Sequence, residues 1–132
     1  MKYFKYKEFD SPDLPRSGLM CMNKEFLNFI DTLRGRCGFP FKVTSGFRTY
    51  NHNLSLCKNP LYKASKTSSH MKGVAADIYI NNSRKRALFI GFAIELCHEL
   101  DLPLRIGVGK NFCHIDIDKD SEKASPCIWL YS

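Results

Sequence analysis

The stretch that most constrains the fold is an apolar segment at about residues 84 to 100. Leucine, isoleucine and phenylalanine side chains cover most of its circumference at helical spacing, which predicts a central helix buried in the core. Asn81-Asn82-Ser83 caps this helix at its start, and Pro103 stops it. A buried helix of this length needs a sheet or further helices to pack against.

The segments around this helix predict a small sheet and further helices. Strand patterns occur in four stretches: residues 41–45, 74–80, 105–109 and 112–117. A tight turn at residues 109–111 joins the last two strands. A second helix is predicted to begin after Asn23 and to end at Gly38, and residues 50–68 are predicted to form a short helix followed by a loop.

These elements fit one domain. The chain has 132 residues, which suffices for one domain and is short for two. Trp129 and Tyr131, near the carboxyl end, are expected to cover one edge of the sheet. We therefore predict a single α+β domain over residues 1–132, with a small, mainly antiparallel sheet packed against two to three helices.

The charge of the chain favours acidic partners without choosing among them. Lys and Arg outnumber Asp and Glu by 20 to 13, giving a formal charge of +7. Nucleic acid, anionic membrane and bacterial wall would all attract such a surface. The basic residues do not cluster with aromatic residues as in a nucleic-acid-binding module, so no nucleic acid is expected. No stretch has the roughly 20 apolar residues of a membrane span, so no membrane insertion is expected.

The six cysteines and the first residues indicate a cytoplasmic site of synthesis. No two cysteines have the C-x-x-C spacing of a structural zinc knuckle. Cys97 and Cys113 lie in apolar segments, as buried free thiols do. The opening residues lack the apolar stretch of a signal peptide. A substrate outside the cytoplasm would therefore require release or delivery of the protein.

Two of the predicted strands carry polar residues that suit a metal ion. Asp77 lies inside an otherwise apolar strand, where a carboxylate needs a partner or a metal. His114 and Asp116 share one face of another strand. Histidine nitrogen and carboxylate oxygen together suit catalytic zinc, in which three protein ligands leave one position open. The structural alternatives are that Asp77 pairs with Arg48 and that His114 is an ordinary buried histidine.

Three motifs, in order, resemble the zinc D-alanyl-D-alanine carboxypeptidase-like peptidases. Ser68-Ser69-His70-Met71-Lys72-Gly73-Val74-Ala75-Ala76-Asp77 resembles the family signature S-x-H-x-x-G-x-A-x-D. Ser45-Gly46-Phe47-Arg48 resembles the upstream motif, and Phe112 to Ile117 resembles the strand with the last ligand. The resemblance runs from about residue 8 to 131. It implies the fold that this family shares with the hedgehog signalling domain.

The resemblance assigns roles to individual residues. It implies that His70, Asp77 and His114 bind one zinc ion per chain. It also implies that Arg48 holds the substrate or polarises the scissile carbonyl. Ser68 matches a serine that contacts substrate in relatives, although its hydroxyl could instead satisfy the loop backbone.

The chain departs from the family at the position of the general base. Many relatives place an acidic residue or histidine three residues before the last ligand, where this chain has Asn111. Asp116 is the best substitute, and we predict that it is the general base. The alternative is that Asp116 orients a ligand histidine.

Together these features predict a hydrolase: a zinc metallopeptidase that cuts an amide bond in peptidoglycan stem peptides. The D-Ala-D-Ala carboxypeptidase and L-Ala-D-Glu endopeptidase types both remain open. We expect a monomeric, phage-type endolysin that is released, delivered to the cell wall or carried on the virion. One alternative is a catalytically weak zinc-binding recognition module of the same fold. A less favoured alternative is a basic nucleic-acid-binding protein.

Overall fold

A computed structural model describes residues 1–62 and 64–131 of the chain. Residue 63, within the predicted loop, and residue 132 lie outside the described residues. The helices are α1 (Ser17–Cys21), α2 (Lys24–Cys37), α3 (Tyr50–Cys57) and α4 (Ser83–Leu100). The strands are β1 (Val43–Ser45), β2 (Ala75–Tyr79), β3 (Arg105–Val108), β4 (Phe112–Asp116) and β5 (Cys127–Leu130). Short 3-10 turns span Tyr6–Phe9 and Ser69–Lys72.

The five strands form one sheet in the order β1-β2-β4-β3-β5. The first three neighbouring pairs are antiparallel, and β5 adds to the edge in parallel with β3. The predicted α+β class with a mainly antiparallel sheet is therefore confirmed. The carboxyl-terminal segment was expected only to cover an edge of the sheet, whereas it extends the sheet as a strand.

The two faces of the sheet differ in chemistry because side chains alternate along each strand. One face packs on the hydrophobic core through Ile78 of β2 and through Cys113 and Ile115 of β4. Asp77, His114 and Asp116 alternate with these residues and therefore lie on the opposite face. The sheet thus places the polar candidates together on the face away from the core.

The main core helix is α2, which corrects the expectation for α4. Six side chains of α2 are buried: Phe26, Leu27, Phe29, Ile30, Leu33 and Cys37. Four of α4 are buried, and its Leu88, Ile94 and Leu100 are 44%, 47% and 51% exposed. A helix that lies on one side of a sheet buries only one stripe of its surface, so apolar side chains on the rest of its circumference stay exposed to water.

The predicted helix boundaries agree with the caps that the structure shows. The Asn23 side chain accepts a hydrogen bond from the Phe26 N–H at the start of α2, and Gly38 ends α2 in the left-handed conformation. The Asn82 side chain accepts from the Lys85 N–H at the start of α4. Among the described residues, no helix has both the length and the apolar character to cross a membrane.

Gly73 ends the turn that carries His70, and we predict that alanine there destabilises the protein. Gly73 has a φ of +71°, and an added Cβ would collide with the Cys21 carbonyl oxygen. We expect Gly73→Ala to lower the free energy of unfolding by about 2 kcal/mol or more in urea titrations. Gly91→Ala is the matched control, since Gly91 lies in α4 with open space around it. Equal urea midpoints for Gly73→Ala and the unmodified protein would contradict the prediction.

Candidate metal centre

Three elements bring His70, Asp77 and His114 together. Among the residues that the structure describes, these three form a group whose side chains could hold a metal ion. His70 lies in the Ser69–Lys72 turn, while Asp77 on β2 is the cross-strand partner of His114 on β4. The predicted ligands, which are far apart in sequence, are thus neighbours. His52 and His98, which were not expected to be ligands, lie outside this group.

The three ligand atoms have the spacing that a tetrahedral zinc ion requires. His114 Nδ1 lies 3.0 Å from Asp77 Oδ1 and 3.2 Å from His70 Nε2. His70 Nε2 lies 3.3 Å from Asp77 Oδ1. Ligands bound to zinc at about 2.0–2.1 Å in tetrahedral geometry are roughly 3.3 Å apart. The donor set and its dimensions therefore fit zinc.

Each histidine is oriented by a hydrogen bond from its other ring nitrogen. His70 Nδ1 donates to the Gly46 carbonyl oxygen at 2.7 Å. His114 Nε2 donates to Asp116 Oδ2 at 2.7 Å. These bonds leave the lone pairs of His70 Nε2 and His114 Nδ1 directed at the shared point. Such partners fix the tautomer and ring orientation of ligand histidines in metal sites.

Without metal, the pKa values of the three candidate ligands shift in different directions. Burial lowers the pKa of His70 below its ordinary value, despite the attraction of Asp77. For His114, burial lowers the pKa, but hydrogen bonds to Asp116 and Asp77 outweigh it and raise the pKa to about 9. Burial alone would raise the pKa of Asp77, yet the two imidazoles hold it well below its usual range. Asp77 is therefore a carboxylate, suited to a cation.

Arg48 lies beside this centre, and its predicted role toward a substrate stays a prediction. A bulge in β1 places Ser45 opposite Asp77, and the Ser45 hydroxyl accepts from Arg48 Nε at 3.0 Å. Arg48 Nη2 pairs with Asp77 Oδ2 at 3.3 Å, and Nη1 donates to Asn53 Oδ1 at 3.3 Å. Burial lowers the pKa of Arg48, partly offset by Asp77. The Arg48–Asp77 pair, considered as an alternative to metal binding, therefore exists alongside the ligand geometry.

Ser68 is buried at the start of the turn that carries His70. Its hydroxyl oxygen accepts a hydrogen bond from the His70 N–H at 3.2 Å. This contact matches the alternative in which the hydroxyl satisfies the loop backbone. Ser68 also lines the adjacent cavity, so its hydroxyl is within reach of a molecule bound there.

Asp116 is completely buried, and both of its oxygens have protein partners. Oδ2 accepts from His114 Nε2, and Oδ1 accepts from the Asp118 N–H at 3.1 Å. Arg105 Nε lies 3.2 Å from Oδ1. These contacts favour the alternative in which Asp116 orients His114, while its predicted role as general base stays a prediction. Asn111, at the position where the family resemblance implies a base, is exposed and does not line the cavity.

A cavity of about 720 Å³ opens over the candidate ligands. This volume lies in the range of small-molecule and peptide sites. Several residues that line it were not predicted as site residues from the sequence: Leu56, Leu61, Tyr62, Arg105, Lys110, Lys123, Trp129 and Tyr131. Four basic residues, Arg48, Arg105, Lys110 and Lys123, and two acidic ones, Asp77 and Asp116, line the cavity, so basic residues outnumber acidic ones in its lining.

Aromatic side chains from β5 and the residue after it extend the centre. The Trp129 ring lies 5.4 Å from the His114 ring, and Tyr131 packs on Phe112 at 5.0 Å. Gly107 makes room for both, since an added Cβ would lie 2.6 Å from a Trp129 ring carbon and 2.5 Å from a Tyr131 ring carbon. The signal in the sequence for this close approach was a glycine in the interior of strand β3, between Ile106 and Val108.

Asp118 holds the turn that carries His70 against the sheet. It is buried and accepts from Ser69 Oγ at 2.7 Å and from Lys123 Nζ at 2.9 Å. Lys72 Nζ lies 3.1 Å from Asp118 Oδ1. Burial would raise the pKa of Asp118, but Ser69, Lys123 and Lys72 hold it well below its usual range. This network fixes the loop on which the first candidate ligand sits.

Comparisons with known proteins identify the family and the fold of the chain. The profile of a family described as Peptidase M15 matches residues 2–116. A solved structure, the L-Ala D-Glu endopeptidase ChiX of Serratia marcescens, is similar with a TM-score of 0.64 and 15% sequence identity. The match covers 80% of this chain and 87% of that one. No curated protein matches the sequence significantly. The family match ends at Asp116 and leaves β5 outside it.

Proposed function

Because the chain belongs to the peptidase M15 family, we propose that it is a zinc peptidase that hydrolyses an amide bond in peptidoglycan stem peptides. One observation carries the proposal. Three ligand atoms lie 3.0 to 3.3 Å apart, and a hydrogen bond from the second ring nitrogen orients each histidine. His70, Asp77 and His114 would hold one ion and leave its fourth position open to the cavity.

The chain's own residues supply positioning and charge at this centre. Zinc in such a site supplies Lewis acidity and lowers the pKa of a water molecule toward about 7. Arg48 brings a fixed positive charge beside Asp77, where it stabilises negative charge developing on a scissile carbonyl oxygen. The Ser68 hydroxyl, whose oxygen already accepts from the His70 N–H, donates its hydrogen to the substrate.

The cut bond is proposed to be L-Ala-D-Glu, with D-Ala-D-Ala as the second candidate. The similar solved structure is named as an L-Ala D-Glu endopeptidase, which supports the first candidate. Free carboxylates are part of wall stem peptides, and the basic lining of the cavity complements them. We further propose that the protein acts as a monomeric, phage-type lysin at the wall. The net charge of +7 supports attraction to an anionic wall.

We expect the zinc-loaded protein to cleave isolated stem peptides and the chelator-treated protein to leave them intact. Mass spectrometry of the products identifies the bond: a free amino terminus on D-Glu indicates endopeptidase activity, and released D-Ala indicates carboxypeptidase activity. Re-addition of zinc to the chelated protein should restore cleavage. Stoichiometric zinc without any cleavage would contradict the enzymatic proposal and favour a recognition module, the alternative that Asn111 supports. Absence of zinc binding would contradict the metal site itself.

A further inference from the structure

Arg105 contacts the residue that orients the third candidate ligand. It lies on β3 directly opposite Asp116 on β4. Its Nε is 3.2 Å from Asp116 Oδ1, and the two side chains are only 16% and 1% exposed. An ion pair this deeply buried is held in one geometry, and removing one partner leaves a buried charge with fewer contacts.

The other side of the Arg105 side chain is held by the segment that follows the family match. Arg105 Nη1 donates to the Ala124 carbonyl oxygen at 2.8 Å. The guanidinium carbon lies 5.1 Å from the centre of the Trp129 ring. Ala124 and Trp129 both lie beyond residue 116, where the family match ends. This part of the chain therefore sets the position of the guanidinium.

A continuous series of contacts leads from this segment to the candidate ligand atom. Arg105 contacts the Asp116 carboxylate, and Asp116 Oδ2 accepts from His114 Nε2 at 2.7 Å. The Trp129 ring also lies 5.4 Å from the His114 ring, so it limits the tilt of the imidazole from another side. The direction of the His114 Nδ1 lone pair depends on both constraints.

We propose that Arg105 is a positioning residue for the zinc site, acting through Asp116 on His114, and that residues 124–129 set its position. The proposal rests on the proposed zinc site. Without the guanidinium, the Asp116 carboxylate loses a partner that fixes its rotation, and the His114 ring loses its fixed orientation. Loss of such outer partners typically weakens metal binding by about 10- to 100-fold.

The test measures the zinc dissociation constant of full-length variants by competition with a chromophoric chelator. We expect Arg105→Met to raise the constant about 10- to 100-fold. Arg36→Met is the matched control, because Arg36 also pairs with two carboxylates, Glu95 and Glu99, but lies outside the cavity lining. We expect the control to bind zinc as the unmodified protein does.

Two further variants test the route and guard against misfolding. Arg105→Lys retains the charge but lacks the fork that reaches Ala124, so we expect roughly two- to tenfold weaker zinc binding. The double variant Arg105→Met/Asp116→Asn should bind zinc no more weakly than Asp116→Asn alone, because both changes interrupt one series of contacts. Circular dichroism of the metal-free proteins identifies any variant that does not fold.

The outcomes separate this proposal from the proposed function. If the unmodified protein binds no zinc, the zinc site itself is wrong. If the unmodified protein binds zinc and Arg105→Met binds it equally well, the positioning role is wrong while the zinc site stands. Where Arg105→Met does not fold, the same conclusion follows from equally tight zinc binding by Arg105→Lys. Fully additive losses in the double variant would show that Arg105 does not act through Asp116.

Discussion

Replacing His70 with alanine is expected to reduce zinc in the purified protein to background and to lower peptide hydrolysis by on the order of 10³-fold or more. His70 is 1% exposed, and its Nε2 lies within 3.3 Å of the other two candidate ligand atoms. Asp77 and His114 alone would leave two coordination positions unfilled by protein. Metal analysis by mass spectrometry and hydrolysis of stem peptides measure the two effects.

The control for this change is His98→Ala. His98 is exposed on α4 and does not line the cavity, so its loss removes an imidazole without affecting the centre. We expect this variant to retain zinc and hydrolysis at the level of the unmodified protein. Stoichiometric zinc in His70→Ala would show that the ion binds elsewhere, and unchanged hydrolysis would remove the centre from the mechanism.

Asp116→Asn distinguishes the two roles considered for that residue. If Asp116 orients His114, the variant should bind zinc about 10- to 100-fold more weakly, and excess zinc should return kcat to near the original value. If Asp116 is the general base, kcat should stay about 10² to 10⁴ lower even with the site saturated. We expect the first result, because both Asp116 oxygens already have protein partners. Hydrolysis rates measured over a zinc titration separate kcat from metal affinity.

The control for the loss of a carboxylate is Asp120→Asn. Asp120 follows the same strand and pairs with Lys72 at 3.5 Å, and its side chain is 34% exposed. Asp120 contacts neither candidate ligand histidine, so the zinc affinity and kcat of Asp120→Asn should match those of the unmodified protein. A deficit in kcat for Asp116→Asn that excess zinc does not relieve would contradict the positioning role and establish the base.

The local rules of sequence sufficed for the elements and faces that carry the candidate ligands. The caps at Asn23 and Asn82 form short-range hydrogen bonds, and so they are visible in the sequence. Strand alternation placed His114 and Asp116 on one face without any knowledge of the fold. That His70 lies close to the two strands was predicted instead from the resemblance to a family, because no local rule fixes how a turn folds back onto a sheet.

The role of Arg105 and the strand β5 could not be predicted, for two different reasons. Arg105 meets Asp116 only because of the register between β3 and β4, which tertiary packing sets. In β5, Ile128 pairs with the core residue Ile106, yet Ile128 and Leu130 are 50% and 80% exposed, while Trp129 faces the candidate centre. Apolar residues on the core side of this edge strand are therefore not buried, and the pattern alone does not show this.

The alternation of β4 has a consequence for metal selectivity. Cys113 adjoins His114 in sequence, and thiolate is the softest ligand that the chain could offer to an ion. Its side chain points into the core, where burial raises the pKa of the thiol to about 11. The strand thus separates the two kinds of donor, with the Cys113 sulfur on the core face and the nitrogen and oxygen donors on the opposite face. The Cys113 sulfur therefore cannot occupy the fourth coordination position of a metal ion at the candidate centre, and that position stays accessible to water.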